Sequence, residues 1–155
     1  MPTLGKFTWF NQALLKVSGT PTINLATNTF KCLLLDKAQT ITAAFNGTSG
    51  NCQKSDLTAE LPTLHGYTVG GATLASVTLV RSSGTVVWNA NPWSWTIDAT
   101  GISFKYAVIF SDTAANKDLL CFVDMDTATS DNVTVMDGTL VFAPPASGIL
   151  NWSAV

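Results

Sequence analysis

Apolar and polar residues alternate most clearly from Trp93 to Asp126, and this stretch organises the rest of the chain. Trp93, Trp95 and Ile97 point one way, with Ser94 and Thr96 between them, until Asp98 to Gly101 breaks the run. Phe104, Tyr106, Val108 and Phe110 share one face of the next strand. Ala107 and Ile109 make its other face apolar too, which predicts a strand in a sheet interior. After the polar loop Ser111 to Lys117, Leu119, Cys121 and Val123 alternate with Leu120 and Phe122. Two adjacent strands with two apolar faces predict the middle of a core, built on Phe104, Tyr106, Val108, Phe110, Leu119, Cys121 and Val123.

Upstream, Phe7, Phe10, Leu14 and Val17 fall at i, i+3, i+7 and i+10. That stripe predicts a short amphipathic helix from Leu4 to Val17 within an N-terminal arm, residues 1–20, stopping at Ser18-Gly19-Thr20-Pro21. Thr29 to Leu35 is the first strand. Residues 36–63 lose the pattern, and Asn46 to Asn51 is a loop by composition, expected to protrude or touch a partner. Gly66, Gly70 and Gly71 mark a tight turn or bulge, with no Lys-Ser/Thr signature of a phosphate loop. Thr73 to Val80 reads as one strand, Ser82-Ser83-Gly84 as a turn, and Thr85 to Asn89 as the hairpin partner. Val133 and Val135 mark a short strand, Asp137-Gly138 a turn and Thr139 to Ala143 its partner, with Gly148 to Trp152 as a last strand. Eight to ten short strands indicate an all-β sandwich or small barrel, and the expected fold is an antiparallel, jelly-roll-like β-sandwich with one short N-terminal helix, in a single domain over residues 1–155.

Charge changes the picture. Only 12% of residues are charged, against roughly 25% in an ordinary soluble domain. A surface this thinly charged is either covered by other subunits or coated with neutral Thr, Ser and Asn. With a net charge of −2 and Arg81 as the only arginine, no basic patch exists to neutralise phosphates, so nucleic acid is not an expected partner. Cys32, Cys52 and Cys121 are odd in number and fit neither a zinc pattern nor a disulfide framework, which suits synthesis in a reducing compartment. The segment after Lys6 is interrupted by Asn11 and Gln12, so no secretory leader is expected, and no apolar run reaches the roughly 20 residues of a membrane span.

The chain offers little for catalysis. His65 is the only histidine and Glu60 the only glutamate, and most of the nine aspartates sit in turns where Asp serves local hydrogen bonds. Asp112, Asp118, Asp124, Asp126 and Asp131 are near in sequence but lack the spacing of a calcium loop, so no metal and no cofactor are assigned. Trp93 and Trp95, on one strand face, are either core, a subunit interface or a platform for a sugar.

The ordered motifs resemble a family of small structural proteins of tailed bacteriophages. The resemblance rests on the segment beginning Lys6-Phe7, Asn24-Leu25, the strand Thr29 to Leu35, Gly66-Tyr67 with Gly70-Gly71, and Trp95-Thr96. It continues through Phe104 to Ile109, Leu119 to Asp124, Gly138 and Gly148-Ile149-Leu150. It implies a virion component, best read as a capsid decoration (cement) protein on the outer surface of the head, made in the host cytoplasm. Its implied partners are the major capsid protein and further copies of itself, with a trimer as first guess, and no catalytic residues come with it. The alternative is a tail-, fibre- or adaptor-associated protein, with carbohydrate binding as a further option. Candidate interface residues are Phe7, Trp9, Phe10, Asn46, Asn51, Trp93 and Trp95. Asp36 to Asn51 is longer and richer in Asn and Ser than the family pattern.

Overall fold

Two strands apolar on both faces need neighbours on both edges and cover on both sides, and the fold supplies them. The structure, a computed structural model, describes residues 2–19 and 21–153; it is an all-β, sandwich-like arrangement of antiparallel sheets with one short α-helix. Met1 and Thr20, at the limits of the expected N-terminal arm, lie outside the described residues, as do Ala154 and Val155.

The largest sheet contains β1 (Thr8–Trp9), β2 (Phe30–Leu35), β3 (Ala72–Thr73), β8 (Tyr106–Ser111) and β9 (Leu119–Asp124), in the order β1-β9-β8-β2-β3. Thus β8 and β9 are both interior strands. Every residue of β8 is buried, as are Leu119 to Val123. Tyr106 faces Leu35 on one side and Asp124 on the other; the register slips by one between Ile109 and Phe110, which accommodates Leu120 as a bulge.

The remaining strands are β4 (Thr78–Ser82), β5 (Thr85–Asn89), β6 (Trp93–Ile97), β7 (Ile102–Phe104), β10 (Val133–Val135), β11 (Gly138–Phe142) and β12 (Leu150–Ser153). They form a three-stranded sheet β12-β5-β4 and two ribbons, β11-β6 and β10-β7. The β4–β5 turn, Ser83-Gly84, has φ of +48° and +83°, as a two-residue hairpin loop requires. Aromatic rings join the layers: Phe30 meets Trp88 edge-on at 4.9 Å, and Phe10 lies 5.1 Å from Phe122.

Five expectations change. The helix, α1 (Asn11–Ser18), begins seven residues after Leu4, because residues 3–10 run extended along β9 instead. Gly5 N–H donates to Asp124 O at 2.8 Å, Thr8 and Trp9 pair with Phe122 and Cys121, and Phe10 N–H donates to Leu120 O at 3.1 Å. Leu14, expected on the packed stripe, is exposed; Ala13 is the buried residue of the helix. The run Thr73 to Val80 is broken at Ser76, whose φ is +50°, into β3 and β4. The strand from Phe104 to Phe110 is broken at Lys105, where the chain leaves the β7 ribbon for the main sheet. Finally, β10 and β11 are not hairpin partners: β10 pairs with β7 and β11 with β6.

Lys105 holds the crossing between β7 and β8. It is 2% exposed, yet its ammonium reaches the Asp124 carboxylate at 2.6 Å and the carbonyls of Asp126 and Thr129. A buried cation with a full set of acceptors is tolerated, whereas one stripped of its partners would be strongly destabilising.

The glycine turn is a close-approach device. His65-Gly66 closes a tight loop between Leu64 and Tyr67, whose backbones exchange both hydrogen bonds, at 3.0 and 2.9 Å. Gly66 has φ of +93°, and a Cβ there would sit 1.8 Å from Thr96 O; at Gly71, φ is +73° and a Cβ would sit 1.9 Å from Cys32 O.

Residues 36–63 carry little regular structure beyond a 3₁₀ turn at Lys54–Asp56, and Asn46 to Asn51 are exposed, but the segment is tied down by internal hydrogen bonds. Asp56 is the knot: it accepts from Ser49 N–H at 2.9 Å, Ser49 Oγ at 2.6 Å, Thr48 Oγ1 at 3.3 Å and Gln53 N–H at 2.9 Å. Burial alone would push this carboxyl up, but those donors outweigh it and hold it below the ordinary aspartate range. Leu119 N–H donates to Cys52 O and Lys54 N–H to Lys117 O, both at 3.0 Å, which fastens the segment to the start of β9.

Candidate interaction surface

The groups that could have carried chemistry are engaged structurally. His65 Nδ1 lies 3.0 Å from Asp98 Oδ2, and no serine or cysteine among the described residues hydrogen-bonds to the ring. The histidine contact is the main reason the Asp98 carboxyl is held low, and the pair clips the glycine turn to the turn after β6. Glu60 accepts from Tyr67 Oη at 3.0 Å and from Lys54 at 2.9 Å, while Leu34 N–H donates to the same tyrosine oxygen at 3.2 Å. Asp118 is buried and takes Lys16 at 2.5 Å and Thr22 at 2.7 Å, fixing α1 to the start of β9. Asp112 pairs with Lys31 at 3.2 Å and Lys117 at 2.5 Å, and Asp131 with Lys37 at 2.6 Å. No three His, Cys, Asp or Glu side chains gather into a possible metal-ligand group among the described residues. Burial pushes the Cys32 thiol up to about 12, and Cys52 likewise to about 12, so neither is a ready nucleophile at neutral pH.

The aromatic candidates divide. Trp93 and Trp95 are buried, which corrects their assignment to an interface and removes the exposed sugar platform. Phe142 of β11, the cross-strand partner of Trp93, extends the same face, stacked on Trp93 at 5.7 Å and edge-on to Trp95 at 5.9 Å. That face packs against Phe7, 6.4 Å from Trp93, and Tyr67, 5.9 Å from Trp95. The indole N–H of Trp93 is buried without an acceptor; its polar neighbour is the Cys32 thiol, a weak acceptor outside hydrogen-bonding geometry. Phe10 is fully buried too and is core, not interface. Phe7 is half-buried, 6.4 Å from the Trp93 ring, and Trp9 is half-buried, 5.9 Å edge-on to Trp152. Asn46 and Asn51 are exposed, on the tied-down segment.

What Phe7 and Trp9 border is a groove of about 800 Å³. One wall is residues 4–9, the other residues 140–143, and residues 145–151 close the end; Val123 and Met125 of the β9 end also line it. The strands at its margins, β1, β11 and β12, are each the last strand of their sheet. Leu4 is 63% exposed, Val141 53% and Trp152 38%, so apolar surface continues over the rim. The sequence reading found the Phe7 and Trp9 wall but missed Leu140, Val141 and Leu150, which lie at the other end of the chain. The pair Pro144-Pro145, which ends β11 as an edge strand, was the one local signal of that wall.

The fold and this surface define an all-β protein whose distinctive feature is an apolar groove between strand edges. Compared with known protein families, with curated proteins and with solved structures, the chain matches none.

Proposed function

We propose that this protein is a virion structural component that binds the outside of an assembled tailed-phage head and clamps neighbouring capsid subunits. The observation that carries the proposal is the groove: an exposed apolar cleft between three edge strands, on a chain whose histidine and most carboxylates are spent on internal contacts. Apolar surface of this kind marks an interaction site on a soluble domain. The motif order described above supplies the phage setting, with the major capsid protein and further copies of the chain, arranged as a trimer, as the partners.

The mechanism is additive. A single copy forms a modest interface, but a copy or oligomer bridging two or three lattice subunits dissociates only when several contacts break together. Because it binds the assembled head and not free subunits, it stabilises the assembly by mass action, by about 2.7 kcal/mol per site at a concentration 100-fold above its dissociation constant. The contacting parts are the N-terminal arm and the C-terminal wall of the groove.

The test is co-sedimentation of purified protein with heads that lack it, followed by imaging of the reconstituted particles. Saturable binding in hundreds of copies over the head is expected. A handful of copies at one vertex, or binding to tails alone, would replace this reading with the tail or adaptor one.

A further inference from the structure

We propose that the groove binds by strand addition: an extended segment of the capsid partner, with alternating apolar side chains and one carboxylate, enters between β1 and β11 and pairs with the outer edge of β1. This rests on the cementing role and names its mode and chemistry.

Three features carry the inference. The first is backbone. Thr8 pairs with Phe122, and Phe10 N–H donates to Leu120 O, so the alternation of an antiparallel ladder turns the polar groups of Trp9 away from β9. Phe7 N–H makes no bond to backbone of another element among the described residues. Unpaired groups along an edge are a template for another strand, and the residues that carry them, Phe7 and Trp9, line the cleft. The opposite wall, β11, is likewise paired on one side only.

The second is side-chain chemistry. The lining is apolar apart from a few neutral polar groups, and Lys6 is its only ionisable residue among the described residues. Six of the seven lysines have a carboxylate within ion-pairing distance; Lys6 has none among the described residues. An extended segment puts every second side chain on one face, which suits an apolar floor, and an acidic residue at its margin would meet Lys6.

The third concerns the rival occupant, a second copy of this chain. One exposed apolar edge it could offer is β4, with Leu79 and Val80, but Arg81 follows directly and would bring like charge to Lys6. Another is β12, with Trp152, which carries no carboxylate to meet Lys6.

The experiment uses overlapping synthetic peptides spanning the major capsid protein of the same particle, with the tryptophan emission of the Trp9–Trp152 pair as readout. One peptide with an Asp or Glu is expected to bind. N-methylation of alternate residues should abolish binding in one phase and spare it in the other. Lys6→Glu should weaken binding about tenfold or more, and exchanging the peptide's acid for lysine should restore it. Lys6 and Val141 are exposed, so their variants should keep the parent unfolding midpoint. If intact protein binds heads, no peptide binds, and head binding survives both Lys6→Glu and Val141→Asp, strand addition is wrong while cementing stands. If intact protein does not bind heads, both fall. Self-association abolished by Val141→Asp would assign the groove to a second copy and overturn the proposal.

Discussion

Tyr67→Phe deletes one oxygen, and its effect follows from where β3 stops. Strand β3 pairs with β2 only at Lys31 and Cys32, so Leu34 N–H, pointing to the same side, has no strand opposite it. Tyr67 Oη fills that place, accepting from Leu34 N–H at 3.2 Å while donating to Glu60 Oε1 at 3.0 Å. Removing the hydroxyl orphans a buried backbone donor, which costs about 1–3 kcal/mol. Glu60 loses one donor but keeps Lys54 and Gly70 N–H, so its share is smaller. The ring and its packing on Trp95 at 5.9 Å stay in place, so no cavity term is added. The expected loss is about 2 kcal/mol, a fall of about 4–8 °C in Tm for a chain of this size. Urea unfolding with an unchanged m-value measures it, with faster hydrogen exchange at Leu34 as the local readout. Tyr106→Phe is the control, since that hydroxyl makes no hydrogen bond among the described residues, and should change stability by less than about 0.5 kcal/mol. A Tyr67→Phe loss no larger than the control's would refute the claim that Tyr67 completes the edge of β2.

Gly66→Ala and Gly71→Ala should each lose more than about 2 kcal/mol, because positive φ and backbone overlap add, whereas Gly70→Ala, with φ of +95° but open space, should lose about 1 kcal/mol; chemical denaturation of the three separates the terms. Asp56, Asp112 and Asp126 are held below their ordinary range, Asp56 by donors that outweigh burial, Asp112 first by Lys117, and Asp126 first by Thr3 N–H. Their folded values lie below the unfolded one, so they stabilise above about pH 4 and that stability is lost as pH falls below it. The urea midpoint should therefore drop below about pH 4, with a shallower drop in Asp56→Asn; a midpoint that stays flat would count against it.

Strands were legible because alternation is a local signal: β6, β8 and β9 follow directly from which residues are apolar. The arm was misread because Phe7 and Phe10 sit three apart, a spacing that suits a helix turn and also two residues flanking a two-residue strand. The free edge of β9 decided it. The β10–β11 pairing failed for a related reason. Asp137-Gly138 does turn the chain, with φ of +46° at Asp137, but Asp137 N–H donates to Asp98 O at 2.9 Å. The ribbon therefore follows the bend between β6 and β7 and does not fold back on itself. Trp93 and Trp95 show where patterns run out, since an exposed platform and a core face alternate identically and only the packing of Phe7 and Tyr67 against them distinguishes the two. The groove was hidden because its walls are more than 130 residues apart in the chain.

The central claim is that the protein stabilises an assembled head from outside. Its most direct test is the thermal disassembly of heads lacking the protein, measured with and without purified protein added back, and repeated after chelation of divalent ions. Added protein should raise the disassembly temperature in proportion to copies bound until the sites fill, and Val141→Asp should give no rise. Heads that disassemble at the same temperature with and without it, before and after chelation, would contradict the cementing role.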